Sequence, residues 1–166
     1  PRRGLSQPRK ICMKTPSNEA ELDDLLSTPT EGLLDAARDI EGDLIVLGAA
    51  GKMGPTLALM ARRTLAKTQR VIAVSRFSNP AARELLNRQG IETIACDLLN
   101  REQVATLPRV ENVVFMAGHK FGTGSRPELT WMMNGIVPAN VGEHFRGAKT
   151  VAFSTGCVYP LVASET

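Results

Sequence analysis

Apolar residues fall into short continuous runs separated by longer stretches in which they recur every three or four positions. The runs Leu44–Leu47, Val71–Val74, Ile91–Cys96, Asn112–Met116 and Thr150–Phe153 read as strands. Runs of this length suit strands covered on both faces of a parallel sheet. Between them the spacing predicts helices. Lys52–Lys67 turns Leu57, Met60, Ala61 and Leu65 inward, and Asn79-Pro80 caps a helix through Gln89. Asn100–Leu107 is a short helix and Glu128–Phe145 a long one. Strand and helix alternating at this spacing imply right-handed crossovers and one doubly wound α/β sheet.

Upstream of the first strand the pattern is helical and then lost. Glu19–Leu26 forms a short helix. Thr28-Pro29-Thr30-Glu31 then offers a cap, a proline at the first helical position and a glutamate three residues after the cap. That second helix runs to about Ile40 on a stripe of Leu33, Leu34, Ala37 and Ile40, and Gly42 ends it. Residues 1–18 are rich in Pro, Arg, Lys and Ser without periodicity. The expected organisation is a disordered tail over 1–18, a helical extension over 19–41 and the α/β domain over 42–166. Pro1 opens the chain and Met13 is its first methionine. Residues 1–12 are therefore expected to be upstream or added sequence.

Composition narrows the class. The chain has 166 residues, 43% hydrophobic and 22% charged, which is ordinary for a soluble globular domain. Aromatics are only 4%, so the core must be aliphatic. The net charge of +3 is mild and its cations are scattered among acids, which argues against nucleic acid as a partner. The exception, Arg2, Arg3, Arg9 and Lys10, lies in the tail. No apolar run approaches the ~20 residues of a membrane span, and the N-terminus lacks a signal-like apolar core. Cys12, Cys96 and Cys157 match neither a disulfide framework nor a zinc spacing, so a reduced, cytoplasmic protein is expected. His119 and His144 have no partner at metal-ligand spacing, and no metal is expected.

The chemistry concentrates in Gly48-Ala49-Ala50-Gly51-Lys52-Met53-Gly54, which follows the first strand and opens a helix. In such a loop the first glycine permits the tight turn. The second lets backbone approach a pyrophosphate, and the third allows close helix–sheet packing. The helix N-terminus then offers unpaired amides and partial positive charge to phosphates. Amides from 48 to 54 are expected to converge on the diphosphate. The second strand ends in Ser75-Arg76, with no acid. An arginine there can hold the 2′-phosphate of NADP, where an acid would favour NAD. NADP is therefore preferred over NAD, with Arg76 as a solvated loop residue the competing reading.

With these residues in place the sequence resembles the extended short-chain dehydrogenase/reductase family, the NAD-dependent epimerase/dehydratase group. The resemblance covers about Gly42 to Thr166, the family's N-terminal half. Leu47 stands where threonine is common. Asp97-Leu98 looks like the Asp-Leu pair whose carboxylate meets the adenine amino group, although a turn or cap role fits Asp97 as well. Phe115-Met116-Ala117-Gly118 resembles the fourth-strand segment beside the cofactor, and Asn134 the long-helix asparagine that supports the active site. Ser154-Thr155-Gly156-Cys157-Val158-Tyr159-Pro160 resembles the segment that places Thr155 as the catalytic serine or threonine. Lys120 is a candidate substrate or phosphate contact.

The resemblance implies a Rossmann-type sheet in order 3-2-1-4-5, ending after the fifth strand. It also implies an oxidoreductase or epimerase acting on a small molecule, often a sugar or nucleotide-sugar, and a homodimer paired through the long helix. One element departs from the pattern. The family's general base is a tyrosine with a lysine four positions on; here the single tyrosine, Tyr159, is followed by Ala163. The chain is accordingly expected to be a partial form, with an exposed fifth strand and poor solubility. Two alternatives stay open: an NADP-binding sensor without catalysis, and an enzyme like the dihydrodipicolinate reductases, whose dinucleotide loop the stretch Gly48-Ala49-Ala50-Gly51-Lys52-Met53-Gly54 also resembles.

Overall fold

The computed structural model describes residues 15–119 and 126–154. Five strands form one all-parallel sheet in the order β3-β2-β1-β4-β5. They are β1 Leu44–Leu47, β2 Val71–Ser75, β3 Glu92–Ala95, β4 Asn112–Phe115 and β5 Lys149–Ala152. The order reverses between β1 and β4, which pair in register from Leu44–Asn112 to Leu47–Phe115. This is the expected Rossmann-type topology, and it opens a crevice at the carboxyl ends of β1 and β4.

β1 shows why its run is continuously apolar. Leu44 and Val46 enter one core, with Ala58, Leu59, Leu65 and Leu86. Ile45 and Leu47 enter the other, with Val104, Leu107, Val137 and Val141. Successive side chains of a strand point to opposite faces, so a sheet covered twice needs every position apolar. The first face is covered by α3 Gly54–Thr64 and α4 Pro80–Arg88, the second by α5 Arg101–Ala105 and α7 Val137–His144.

Three helical expectations are corrected. In α3 the buried side runs through Gly54, Ala58 and Leu59; Leu65 just past its end is buried as expected, while Leu57 and Ala61 are half-buried against the same core and Met60 is half-buried. Gly54 and Ala58 add little bulk on the buried side, and Leu59 supplies its large apolar side chain to the core. The second helix of the extension starts at Thr30, whose hydroxyl accepts from the amide of Leu33; Thr28 instead ends the first. The capped helix, α2, spans Glu31–Ala36, followed by a tight turn over Ala37–Asp39. α1, Glu19–Ser27, packs on α3, where Arg63 reaches the Asp24 carboxylate at 2.8 Å.

The third correction concerns the long helix. It is not uniform: α6 Pro127–Trp131 passes through a wide π turn, Met132–Ile136, before α7. The amide of Val137 bonds five residues back, to Met132 O. Pro138 has no amide hydrogen for the carbonyl of Asn134 four residues earlier, and its ring crowds that carbonyl, so the ladder widens there. β5 lies at the sheet edge with Val151 and Phe153 exposed. Among the described residues no helix is long and apolar enough to cross a membrane.

Candidate functional site

An open cavity of about 420 Å³ lies outside the carboxyl ends of β1 to β4. Four segments wall it: Gly48, Ala50 and Gly51 after β1, Ser75 at the end of β2 with Arg76 to Asn79 after it, Cys96 to Leu98 after β3, and Met116 to Gly118 after β4. Of the sequence candidates it gathers Gly48, Gly51, Ser75, Arg76, Asp97, Leu98, Ala117 and Gly118. Lys52, Met53 and Gly54 lie just beyond, where the loop enters α3. Lys120 and Thr155 fall outside the described residues.

The glycines of the loop meet three different constraints. Gly48 has φ of 93°, and a Cβ there would lie 2.8 Å from the amide nitrogen of Ala117. At Gly54 a Cβ would run into the carbonyl of Ala49, so the first turn of α3 meets the loop after β1 backbone to backbone. At Gly51 a Cβ would touch only Gly48 O, at 3.3 Å, with no other protein atom within 4 Å. The space above Gly51 is thus left clear on the cavity side.

The amides do not all converge as expected. Gly48 and Ala49 donate to Val74 O, Gly51 to Gly48 O at 3.0 Å, and Gly54 to Gly51 O at 3.1 Å. These bonds build the turn itself. The amides of Ala50, Lys52 and Met53 have no protein acceptor among the described residues. The donors left for an anion are therefore the residues between the glycines, at the start of an α-helix where partial positive charge accumulates.

The remaining walls supply recognition groups. Arg76 is exposed and forms no ion pair among the described residues. Asp97 serves the turn: its Oδ1 accepts from the amide of Leu99 at 3.1 Å, and its own amide donates to Gln103. No bond to its Oδ2 is formed among the described residues, so the turn role does not consume the carboxylate. Burial, aided by the Asp97 charge, pushes the Cys96 thiol up, which keeps it protonated and unsuited to nucleophilic work.

Asn134 stands behind the β4 loop. Its Oδ1 accepts from the amide of His119 at 3.0 Å, and its Nδ2 donates to His119 O at 3.2 Å. The wide turn that holds Asn134 thereby fixes the loop carrying Ala117 and Gly118. The His119 ring lies 3.1 Å from the Thr130 hydroxyl. Sequence reasoning missed Phe77, Ser78 and Met133 as wall residues. Asn79-Pro80 marked the helix start beside them, but nothing in the letters marks a cavity.

A parallel sheet with its ligand crevice at the strand reversal defines a Rossmann-type dinucleotide fold. The profile of the NAD dependent epimerase/dehydratase family matches residues 44–166, and the chain belongs to that family. Among solved structures it is similar to the ADP-L-glycero-D-manno-heptose-6-epimerase of Helicobacter pylori, at 22% identity and TM-score 0.64, covering 82% of this chain and 45% of that one. It is also similar to the Bordetella bronchiseptica enzyme WbmF in complex with NAD+ and UDP, at 15% identity and TM-score 0.61, covering 78% and 40%. A third is the Citrobacter sp. triphenylmethane reductase complexed with NADP(H), at 22% identity and TM-score 0.50, covering 66% and 36%. These likenesses show the fold. The chain spans less than half the length of each of the three. No curated protein matches it.

Proposed function

We propose that this chain is the cofactor-binding part of an NAD(P)-dependent epimerase, dehydratase or reductase, with NADP the preferred cofactor. The carrying observation is the glycine loop: backbone excludes a Cβ at positions 48 and 54, while at 51 only the cavity side is open. Ala50, Lys52 and Met53 offer their amides to the diphosphate there, at the N-terminus of α3. Asp97 and Leu98 hold the adenine, and Ala117 and Gly118 let the nicotinamide pass close to backbone. A bound nicotinamide would accept and return a hydride.

On the substrate side Thr155 hydrogen-bonds a hydroxyl or carbonyl, Lys120 contacts substrate or phosphate, and Asn134 supports the loop. The tyrosine–lysine pair that would move the hydroxyl proton is proposed to come from beyond residue 166, since Tyr159 is followed four positions on by Ala163. A sugar or nucleotide-sugar substrate is supported by the heptose epimerase and by WbmF with its UDP. The buried, unpaired Cys96 suits a reducing, cytoplasmic compartment.

Arg76 sets the cofactor preference, because it lines the cavity and forms no ion pair among the described residues, although Asp97 stands in the same cavity. A charge-assisted bond is worth ~1.5–3 kcal/mol, or about one to two decades of affinity. Titration with NADPH and NADH tests this. The chain should bind NADPH more tightly, and Arg76→Ala should lose that margin while keeping NADH affinity. Equal affinities in the parent chain would remove the role given to Arg76.

A further inference from the structure

Among the described residues Phe77 is the only non-glycine with positive φ, at 49°. That region is unfavourable for bulky L side chains, and such strain persists only where surrounding structure over-determines it, often at ligand sites. Two things hold Phe77 there. Its side chain is buried in the core shared with Ala73, Leu86 and Ile91. The chain is also pinned on both sides: Ser75 O accepts from the amide of Cys96 at 3.0 Å, and Asn79 accepts from the amide of Ala81 at 3.0 Å to start α4.

Glycine or asparagine would make this turn with less strain. What phenylalanine adds is an anchor. The residues on either side of it, Arg76 and Ser78, both line the cavity.

We propose that Phe77 is a positioning residue for the cofactor's ribose: its buried ring and left-handed backbone hold Arg76 and Ser78 side by side as a clasp for a monoester phosphate on the ribose 2′-oxygen. The inference rests on the dinucleotide reading above and adds Phe77 and Ser78 to it. The guanidinium supplies charge and a planar fork of donors, and the hydroxyl supplies one further donor. A floppy loop bearing the same two groups would have to be ordered on binding, which subtracts from affinity. NADH shares every other contact, so losing the anchor should fall on NADPH.

The test titrates NADPH and NADH into the full chain and into three variants, with melting followed by circular dichroism. In the parent chain NADPH should be preferred by about tenfold or more. Phe77→Gly should bring the two affinities within about threefold of each other with NADH binding retained, and Phe77→Leu, which keeps an apolar anchor, should retain the preference. Ser78→Ala should lower the preference by about three- to tenfold. Ser78 is exposed and makes no side-chain hydrogen bond to protein among the described residues, so this variant decides the matter if Phe77→Gly does not fold. An unchanged preference in Ser78→Ala, or in a folded Phe77→Gly, overturns the proposal. Equal binding of both cofactors by the parent chain overturns it together with the role of Arg76, and binding of neither overturns the dinucleotide reading beneath both.

Discussion

At Gly54 an added Cβ would lie 2.7 Å from the Cα of Ala49 and closer still to its carbonyl, atoms that no side-chain rotation can move away. Gly54→Ala should therefore destabilise the fold by about 1–3 kcal/mol, the range for overpacking, and a urea midpoint would show it. Gly51→Ala meets only Gly48 O at 3.3 Å and needs no left-handed backbone. Its stability should change by less than about 1 kcal/mol while dinucleotide affinity falls about tenfold, because the new methyl occupies the diphosphate's approach. A Gly51→Ala protein that bound NADPH normally would break the assignment of that space. These glycines were legible because the strand before them and the helix after them give each a distinct duty. Phe77 was not, since a phenylalanine carries no mark of a left-handed turn.

His144 makes a separate point at the same scale. Its ring is buried, and Nε2 donates to Leu107 O at 3.0 Å. Burial lowers its pKa from 6.5, partly opposed by the Leu107 hydrogen bond, and the Arg109 charge lowers it further. Well above 6.5 the ring is neutral in both folded and unfolded chains, and the group adds no pH dependence. Below 6.5 the unfolded chain takes up the proton first, so stability should fall as pH drops from about 7 toward the lowered folded value. His144→Phe should flatten that part of the profile of melting temperature against pH. An equally steep profile in the variant would place the titration elsewhere.

Elements show where periodicity misleads. Leu129 and Met133, half-buried, and Val137, Val141 and Phe145, buried, recur every four residues across the wide turn, a spacing that runs on without a phase break and reads as one helix. Pro138 was visible in the sequence, yet its consequence lies upstream, in the missing donor for Asn134 O. The widened turn is what brings the Asn134 side chain to both backbone groups of His119. Pro138→Ala supplies the donor and removes a residue that disfavours helix interiors by up to ~3 kcal/mol. The variant should melt at the same temperature or higher. Restoring the ordinary ladder should also carry Asn134 away from His119, so hydrogen exchange of the His119 amide should quicken. Unchanged protection there would show that the wide turn and the loop are independent.

At the scale of the whole molecule the doubly covered parallel sheet was legible, because apolar runs and crossover spacing depend on local sequence, while the strand order came from the family resemblance. Which parts of the loops meet was not legible, since four loops distant in sequence converge only after the sheet forms. That convergence carries a test at the same scale. A ligand that binds only the folded chain stabilises it by about 2.7 kcal/mol when present at a hundred times its dissociation constant. For a chain of this size each kcal/mol moves the melting temperature by about 2–4 °C, so NADPH at that concentration should raise it by about 5–10 °C. NADH at the same concentration, binding ten- to a hundredfold more weakly, should raise it by about 1–5 °C. Arg76→Ala should draw the two shifts together from above, reducing the response to NADPH and leaving that to NADH. The separation between the curves reports the 2′-phosphate, and their common part reports the glycine loop. If neither nucleotide shifts the melt, the four loops frame a cavity that holds no dinucleotide, whatever the glycines permit.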